Sequence, residues 1–176
     1  MIFTETKIKG MYIIEPELFT DERGFFARSF CKEEFQKHGL ETDIVQCNIS
    51  YNKKKGTLRG MHYQVPPFEE AKIVSCTKGL VYDVVVDLRR ASPTYLHWHA
   101  EKLSAGSYRM IYIPKNCAHG FQTLEDNCIV YYQLGEYYTP EYARGIRWND
   151  PAIGIVWPIP VGIISVKDQN YVDFEL

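Results

Sequence analysis

Long hydrophobic runs are missing from the sequence. No apolar stretch approaches the roughly 20 residues that a membrane-spanning helix requires. The first seven residues lack the charged start and apolar block of a signal peptide. The net charge of -2 and the pI near 6.2 do not provide the basic field that nucleic-acid binding needs. We therefore expect a cytoplasmic protein that binds neither membrane nor nucleic acid.

Cysteine pairs and glycine-rich phosphate loops are also missing. The five cysteines are odd in number, scattered and never spaced as C-x-x-C, which is typical of reduced and mostly buried residues in a cytoplasmic protein. Neither G-x-x-x-x-G-K-[ST] nor G-x-G-x-x-G occurs. A phosphate group would therefore have to be bound by side chains.

Long helices are scarce, and this absence excludes a doubly wound α/β fold. Residues 31–39 predict one short helix that ends at Gly39. Apolar runs separated by turn signals recur about every ten residues, which favours a β-sandwich or barrel. At 176 residues the chain is expected to form one domain, 1–176. The predicted strands include residues 11–15, 42–50, 80–89, 98–103, 109–114, 120–124 and 128–133.

The sequence does contain one stretch with several candidate functional residues, residues 56–79. It places His62 and Lys72 in two strand-like runs joined by Pro66-Pro67. An extended chain rises about 3.3 Å per residue, so a hairpin folded at the prolines would place His62 beside Lys72. A histidine that titrates near neutrality beside a cation suits proton transfer on an anionic substrate. A hairpin with solvated charges is the alternative.

A second candidate is the pattern His97-x-His99-x-Glu101. Side chains alternate along a strand, so these three share one face, as metal ligands do. A metal site would need a further ligand, for which His62 or His119 could serve. The surrounding residues alternate between apolar and polar, as in an edge strand with one solvated face. We favour the solvated face and predict no metal.

Several motifs occur in one order along the chain. They are residues 21–26 (DERGFF), 58–64 (LRGMHYQ), 83–87 (DVVVD), 118–121 (AHGF), 145–151 (GIRWNDP) and 164–168 (ISVKD). Together they resemble the dTDP-4-dehydrorhamnose 3,5-epimerase family over residues 3–168. The resemblance implies an all-β, cupin-type jelly-roll sandwich or barrel with one or two short helices. It also implies a homodimer, no metal and no cofactor.

The resemblance implies roles for five residues. His62 would be the base and Tyr132 the acid on the other side of a sugar ring. Lys72 would stabilise an enolate oxygen. Asp168 would be the carboxylate partner of His62, with Asp83 as the less favoured alternative. A ketone at C4 acidifies the protons at both C3 and C5, so one base and one enolate stabiliser can serve both positions.

The remaining site residues implied by the resemblance would hold a nucleotide-diphosphate-sugar substrate. They are Arg23, Phe26, Gln46, Asn48, Arg59, His119, Tyr138 and Lys167. Arg59 and His62 would face opposite sides of a regular strand, so Gly60 is expected to mark a bulge that re-aims one of them.

Two positions depart from the resemblance. Arg28 and Ala143 stand where family members commonly carry carboxylates that hold the nucleotide, so we predict a weaker preference for thymidine. The predicted function is epimerisation of a 4-keto-6-deoxy sugar at C3, C5 or both. The alternatives are a 3,4-ketoisomerase of the same substrate class, a non-catalytic sugar-binding cupin and a metal-dependent cupin oxygenase.

Overall fold

The computed structural model describes residues 1–174, whose regular secondary structure is mostly β-strand. The strands are β1 (Ile2–Glu5), β2 (Tyr12–Glu15), β3 (Phe19–Asp21), β4 (Gly24–Phe26), β5 (Gln46–Asn52), β6 (Thr57–Gln64), β7 (Lys72–Lys78), β8 (Leu80–Asp87), β9 (Trp98–Ser104), β10 (Met110–Ile113), β11 (Cys117–Thr123), β12 (Cys128–Leu134), β13 (Ala143–Gly145) and β14 (Ile163–Ile164). The helices are α1 (Lys32–Lys37) and α2 (Val166–Gln169). The all-β prediction is confirmed, and the predicted helix over residues 31–39 contains α1.

Two sheets face each other across the core. The first has the strand order β1-β2-β10-β7-β12-β5, and the second has the order β13-β6-β11-β8-β9, with β14 parallel to β6. Strands β3 and β4 form a separate hairpin. Most neighbours in each sheet are distant in sequence, as in the predicted jelly-roll sandwich.

Apolar side chains fill most of the space between the sheets. Val74 and Val130 come from the first sheet, Val85 and Phe121 come from the second, and all four are buried. Burial of this apolar surface is the main favourable term in folding. Where β5, β6, β7, β11 and β12 supply polar side chains instead, a cavity opens between the sheets.

The outer faces of both sheets are partly covered. Helix α1 buries Phe35 in a cluster that includes Phe3, whose ring meets it edge-to-face at 5.2 Å between centroids. The segment after β13 packs Ile153 and Trp157 on the second sheet, and Trp157 Nε1 donates to the carbonyl oxygen of Trp148 at 2.9 Å. Burial of these large apolar side chains stabilises this segment on the second sheet.

The predicted hairpin over residues 56–79 is wrong. Strands β6 and β7 belong to different sheets, so the segment containing Pro66-Pro67 leads the chain from one sheet to the other. The prolines mark a turn, but remote strands decide the pairing of each run. His62 and Lys72 still meet, because Lys72 Nζ donates to the carbonyl oxygen of His62 at 3.4 Å.

Strand β9 is an edge strand, as predicted, but its His99–Glu101 face is not solvated. These side chains are 16% and 21% exposed, and they pair with Val85 and Asp83 on the inner face of β8. The alternating pattern could not reveal which face turns inward. Among residues 1–174, no three His, Cys, Asp or Glu side chains converge as metal ligands would.

Two further features concern the predicted absence of a membrane-spanning helix and the prediction that the cysteines are reduced. Within residues 1–174, no helix is long and apolar enough to cross a membrane. All five cysteines are unpaired, and Cys76, Cys117 and Cys128 are buried. Desolvation raises the pKa of the Cys117 thiol to about 12 and that of Cys76 to about 11. These thiols are therefore protonated at neutral pH and unreactive.

Candidate active site

A cavity of about 800 Å³ lies between the two sheets, within the size range of small-molecule sites. Strands β5, β7 and β12 line it from one side, strands β6 and β11 line it from the other, and the chain around α2 contributes to its wall. Most of the residues predicted for the site line this cavity. They are His62, Tyr132, Lys72, Asp168, Gln46, Asn48, Arg59, His119, Tyr138 and Lys167.

His62 and Asp168 form a closely bonded pair in the wall made by the second sheet. The distance from His62 Nε2 to Asp168 Oδ1 is 2.7 Å, and the backbone N–H of Gly60 donates to the other carboxylate oxygen at 3.3 Å. Burial alone would raise the pKa of Asp168, but these bonds outweigh it and hold the pKa below its usual value. The carboxylate therefore stays charged beside the imidazole.

A second histidine–aspartate pair lies on the neighbouring strands. His119 is directly opposite His62 in the register of β11 and β6. Its Nε2 lies 2.9 Å from Asp83, whose side chain is fully buried. Asp83 therefore belongs to His119, and the alternative pairing of Asp83 with His62 is wrong. The reason is that β8 borders β11 and does not reach β6.

Gly60 marks the bulge that the sequence predicted. On β6 three positions separate Arg59 from His62, while their partners Phe121 and His119 on β11 are two positions apart. Gly60 has a φ of +135°, and a Cβ there would lie 2.5 Å from the Cα of Gly120. Glycine thus permits both the backbone conformation and the close approach. The extra residue lets Arg59 and His62 share the cavity.

Tyr132 and Lys72 occupy the opposite wall, on the first sheet. Tyr132 is paired with Val74 and Lys72 with Leu134, so the two side chains lie on the same face of adjacent strands. Burial raises the pKa of the Tyr132 phenol, although Arg59 and Asn48 oppose this shift. The phenol therefore keeps its proton at neutral pH.

Amide side chains form part of the wall next to Tyr132. Along β5, exposure alternates, so that Gln46 and Asn48 face inward. Gln46 Nε2 donates to Asn48 Oδ1 at 3.2 Å, and Gln46 Oε1 accepts from the backbone N–H of Tyr138 at the same distance. These bonds fix the amides and bring Tyr138 to the cavity.

Arg23 and Phe26 are not brought to the cavity of their own chain. Arg23 is at the turn of the β3–β4 hairpin, its side chain is 90% exposed, and it pairs with Asp21. Phe26 is 74% exposed. Among the strands of residues 1–174, β3 and β4 pair only with each other, which keeps both side chains away from this cavity. Their role in holding the substrate stays a prediction.

Comparison with known proteins identifies the family. The family model for dTDP-4-dehydrorhamnose 3,5-epimerase matches residues 5–175. A dTDP-4-dehydrorhamnose 3,5-epimerase of Methanothermobacter thermautotrophicus is 46% identical over 172 residues, covering 96% of this chain and 92% of the relative. The chain belongs to the dTDP-4-dehydrorhamnose 3,5-epimerase family.

Solved structures of the epimerase family share the whole fold. The enzyme of Elizabethkingia anophelis superposes with a TM-score of 0.96 at 39% identity, covering 99% of this chain and 96% of that one. The enzyme of Bacillus anthracis, solved with TDP and pyrophosphate bound, gives 0.94 at 39% identity, with 98% and 99% covered. The predicted resemblance and the jelly-roll class are thus confirmed.

Other positions in this epimerase-family cavity were not predicted. Glu70 and Tyr171 line it, and the Tyr171 ring lies 6.1 Å from that of His62. Glu70 could have been found, because it stands two positions before Lys72 in an extended segment and so shares its face. No local sequence pattern indicates that the chain after Asp168 places Tyr171 next to β6.

The two positions expected to depart from the family pattern have different surroundings. Ala143 lines the cavity, where it leaves room and offers no charge. Arg28 is exposed, and its Nη1 donates to Glu34 Oε1 on α1 at 2.6 Å. The weaker preference for thymidine stays a prediction.

Proposed function

We propose that this chain epimerises a nucleotide-diphosphate-linked 4-keto-6-deoxy sugar at C3, C5 or both, in a reaction of the dTDP-4-dehydro-6-deoxyglucose to dTDP-4-dehydrorhamnose type. Membership of the epimerase family supports this reaction class. The bound TDP and pyrophosphate in the Bacillus anthracis relative support a nucleoside diphosphate as the part that anchors the substrate.

One observation carries the proposal: a histidine and a tyrosine face one cavity from opposite sheets. His62 projects from β6 and Tyr132 from β12. Inversion of a carbon requires that a proton leave from one face and return on the other. Groups on opposite walls can reach both faces of a sugar ring held between them.

The proposed chemistry moves only protons. The imidazole of His62 removes the proton next to the C4 ketone, and the electron pair of the broken C–H bond moves to the ketone oxygen as an enolate. Lys72 stabilises that oxygen, since a cation aimed at developing charge lowers the barrier. The enolate carbon then takes a proton from Tyr132 on the opposite face. Asp168 orients His62 and stabilises its imidazolium form.

The other lining residues suit the rest of the substrate. Arg59 and Lys167 are the side chains that we assign to the diphosphate, because cations with N–H donors match phosphate oxygens. His119, with Gln46 and Asn48, offers hydrogen bonds to the sugar and diphosphate. Tyr138 provides an aromatic surface for the nucleotide end.

A homodimer would explain the placement of Arg23 and Phe26. The β3–β4 hairpin exposes Phe19, Phe25 and Phe26 by 67%, 44% and 74%, more apolar surface than a free hairpin usually leaves in water. We propose that the hairpin packs on a second copy and supplies Arg23 and Phe26 to that copy's cavity. The substrate would then be held by both chains.

We also propose a cytoplasmic location. Five unpaired cysteines support it, because a reducing compartment preserves free thiols. An exposed thiol such as Cys47 would be oxidised readily elsewhere.

The test is an incubation with nucleotide-linked 4-keto-6-deoxy sugars in deuterated water, followed by NMR of C3 and C5. We expect deuterium at one or both carbons, together with the chemical shifts of the inverted product. A carbonyl group that shifts from C4 to C3 would instead indicate a 3,4-ketoisomerase. Binding without exchange would contradict the proposed chemistry and indicate a sugar-binding protein.

A further inference from the structure

Glu70 is a buried carboxylate in the cavity wall to which the chemistry above gives no role. Its side chain is 7% exposed, and its Oε1 lies 2.8 Å from Lys72 Nζ. No donor among residues 1–174 meets its other oxygen, Oε2. A buried charge without full hydrogen bonding is costly, so this carboxylate is held at some expense of stability.

Local geometry explains why Glu70 and Lys72 point together. Ala71, between them, is 4% exposed and packs into the cluster around Phe35, on the outer side of the first sheet. Successive side chains of an extended segment alternate, so Glu70 and Lys72 turn to the cavity side. The backbone N–H of Gly135 bonds the carbonyl of Ala71 at 2.9 Å and fixes the segment.

Lys72 needs such a partner. Its flexible four-carbon stem ends in an ammonium that is buried, and besides Glu70 it bonds the carbonyl oxygen of His62 at the long distance of 3.4 Å. Two acceptors set the direction of the ammonium, and one of them is on the strand that carries His62. Removing Glu70 would leave the weaker bond alone.

On this basis, and resting on the proposed function, we propose that Glu70 is a positioning residue that holds the Lys72 ammonium where the enolate oxygen develops. The hydrogen-bond acceptor, not the negative charge, supplies this role, since a full negative charge beside Lys72 would weaken its attraction for an enolate.

Two substitutions at Glu70 separate the acceptor from the charge. Glu70→Gln keeps an acceptor for Lys72 and removes the charge, so it should retain kcat within about threefold. Glu70→Ala removes both, and kcat should fall roughly tenfold to a hundredfold, because a misplaced group is costly in the transition state. KM and the affinity for dTDP should change little, since Lys72 is assigned to the transition state. Glu69→Ala is the matched control: the neighbouring glutamate lies outside the cavity lining and should leave kcat unchanged.

A double-mutant cycle shows whether Glu70 acts through Lys72. In a Lys72→Met background, Glu70→Ala should cause no further loss of kcat. An equal loss in both backgrounds, or wild-type kcat in Glu70→Ala, would overturn the proposal, as would a Glu70→Gln variant as slow as Glu70→Ala. A wild-type protein that exchanges no substrate proton would instead refute the proposed function. Binding of dTDP by each variant verifies that the cavity is folded.

Discussion

At the scale of single residues, the surroundings of Lys72 point to its role in stabilising the enolate. It is buried between Glu70 and the strand that carries His62, where a cation acts with little screening. We predict that Lys72→Met lowers kcat by about 10²–10³-fold, because the enolate loses its electrostatic partner. Steady-state kinetics with calorimetric binding of dTDP would measure this. Loss of dTDP binding with normal turnover would place Lys72 on the nucleotide instead.

Arg28 concerns the choice of nucleotide. It presents a cation where the resemblance predicts a carboxylate that accepts from the base, so we predict a dTDP-over-CDP preference of less than about tenfold, the equivalent of one hydrogen bond. Competitive binding of dTDP, UDP and CDP measures this preference, and Arg28→Glu should increase it. A strong preference for dTDP that Arg28→Glu leaves unchanged would separate Arg28 from the nucleotide.

At the scale of the elements, sequence reasoning succeeded where the cause is local. The helix end at Gly39 and the bulge at Gly60 follow from the backbone freedom of glycine. The pairing of β6 with β7 was predicted incorrectly, because each of these strands pairs instead with strands that are distant in the sequence. The resemblance to a family, not the local pattern, indicated that His62 and Tyr132 share a cavity.

The connection between β8 and β9 depends on Asp87, a fully buried carboxylate. Burial alone would raise its pKa, but bonds from Arg89, Ser92 and Thr94 lower the pKa from 3.8 to about 2. Since the folded pKa is depressed, the stabilisation is complete above pH 3.8 and is lost as the pH falls through about 2.

We therefore predict that Asp87→Asn lowers the free energy of unfolding by about 2 kcal/mol at neutral pH. The difference from the wild type should shrink as the pH falls below 4 and nearly vanish near pH 2. Urea unfolding at several pH values measures it. A difference that stays constant down to pH 2 would show that the carboxylate charge is not the source.

At the scale of the whole molecule, the proposed site needs two copies of the chain. We predict a particle near 41 kDa by light scattering, twice the 20.5 kDa of one chain.

If the β3–β4 hairpin contributes to the partner's site, His62→Ala and Arg23→Ala chains should complement each other when they are mixed, since one hybrid site has both intact residues. Wild-type chains at the same total concentration serve as the control. No recovered activity in verified hybrid dimers would place Arg23 outside the partner's site.

The measurement that tests the central claim most directly is deuterium exchange at C3 and C5 in two variants. His62→Ala removes the base, so both exchange and inversion should stop. Tyr132→Phe keeps the ring and its packing but removes the acid, so the enolate should form and return to the side from which it came. We predict that Tyr132→Phe takes up deuterium while inversion falls by about 10²–10⁴-fold. Full inversion in Tyr132→Phe, or continued exchange in His62→Ala, would contradict the assignment of acid and base to the two walls.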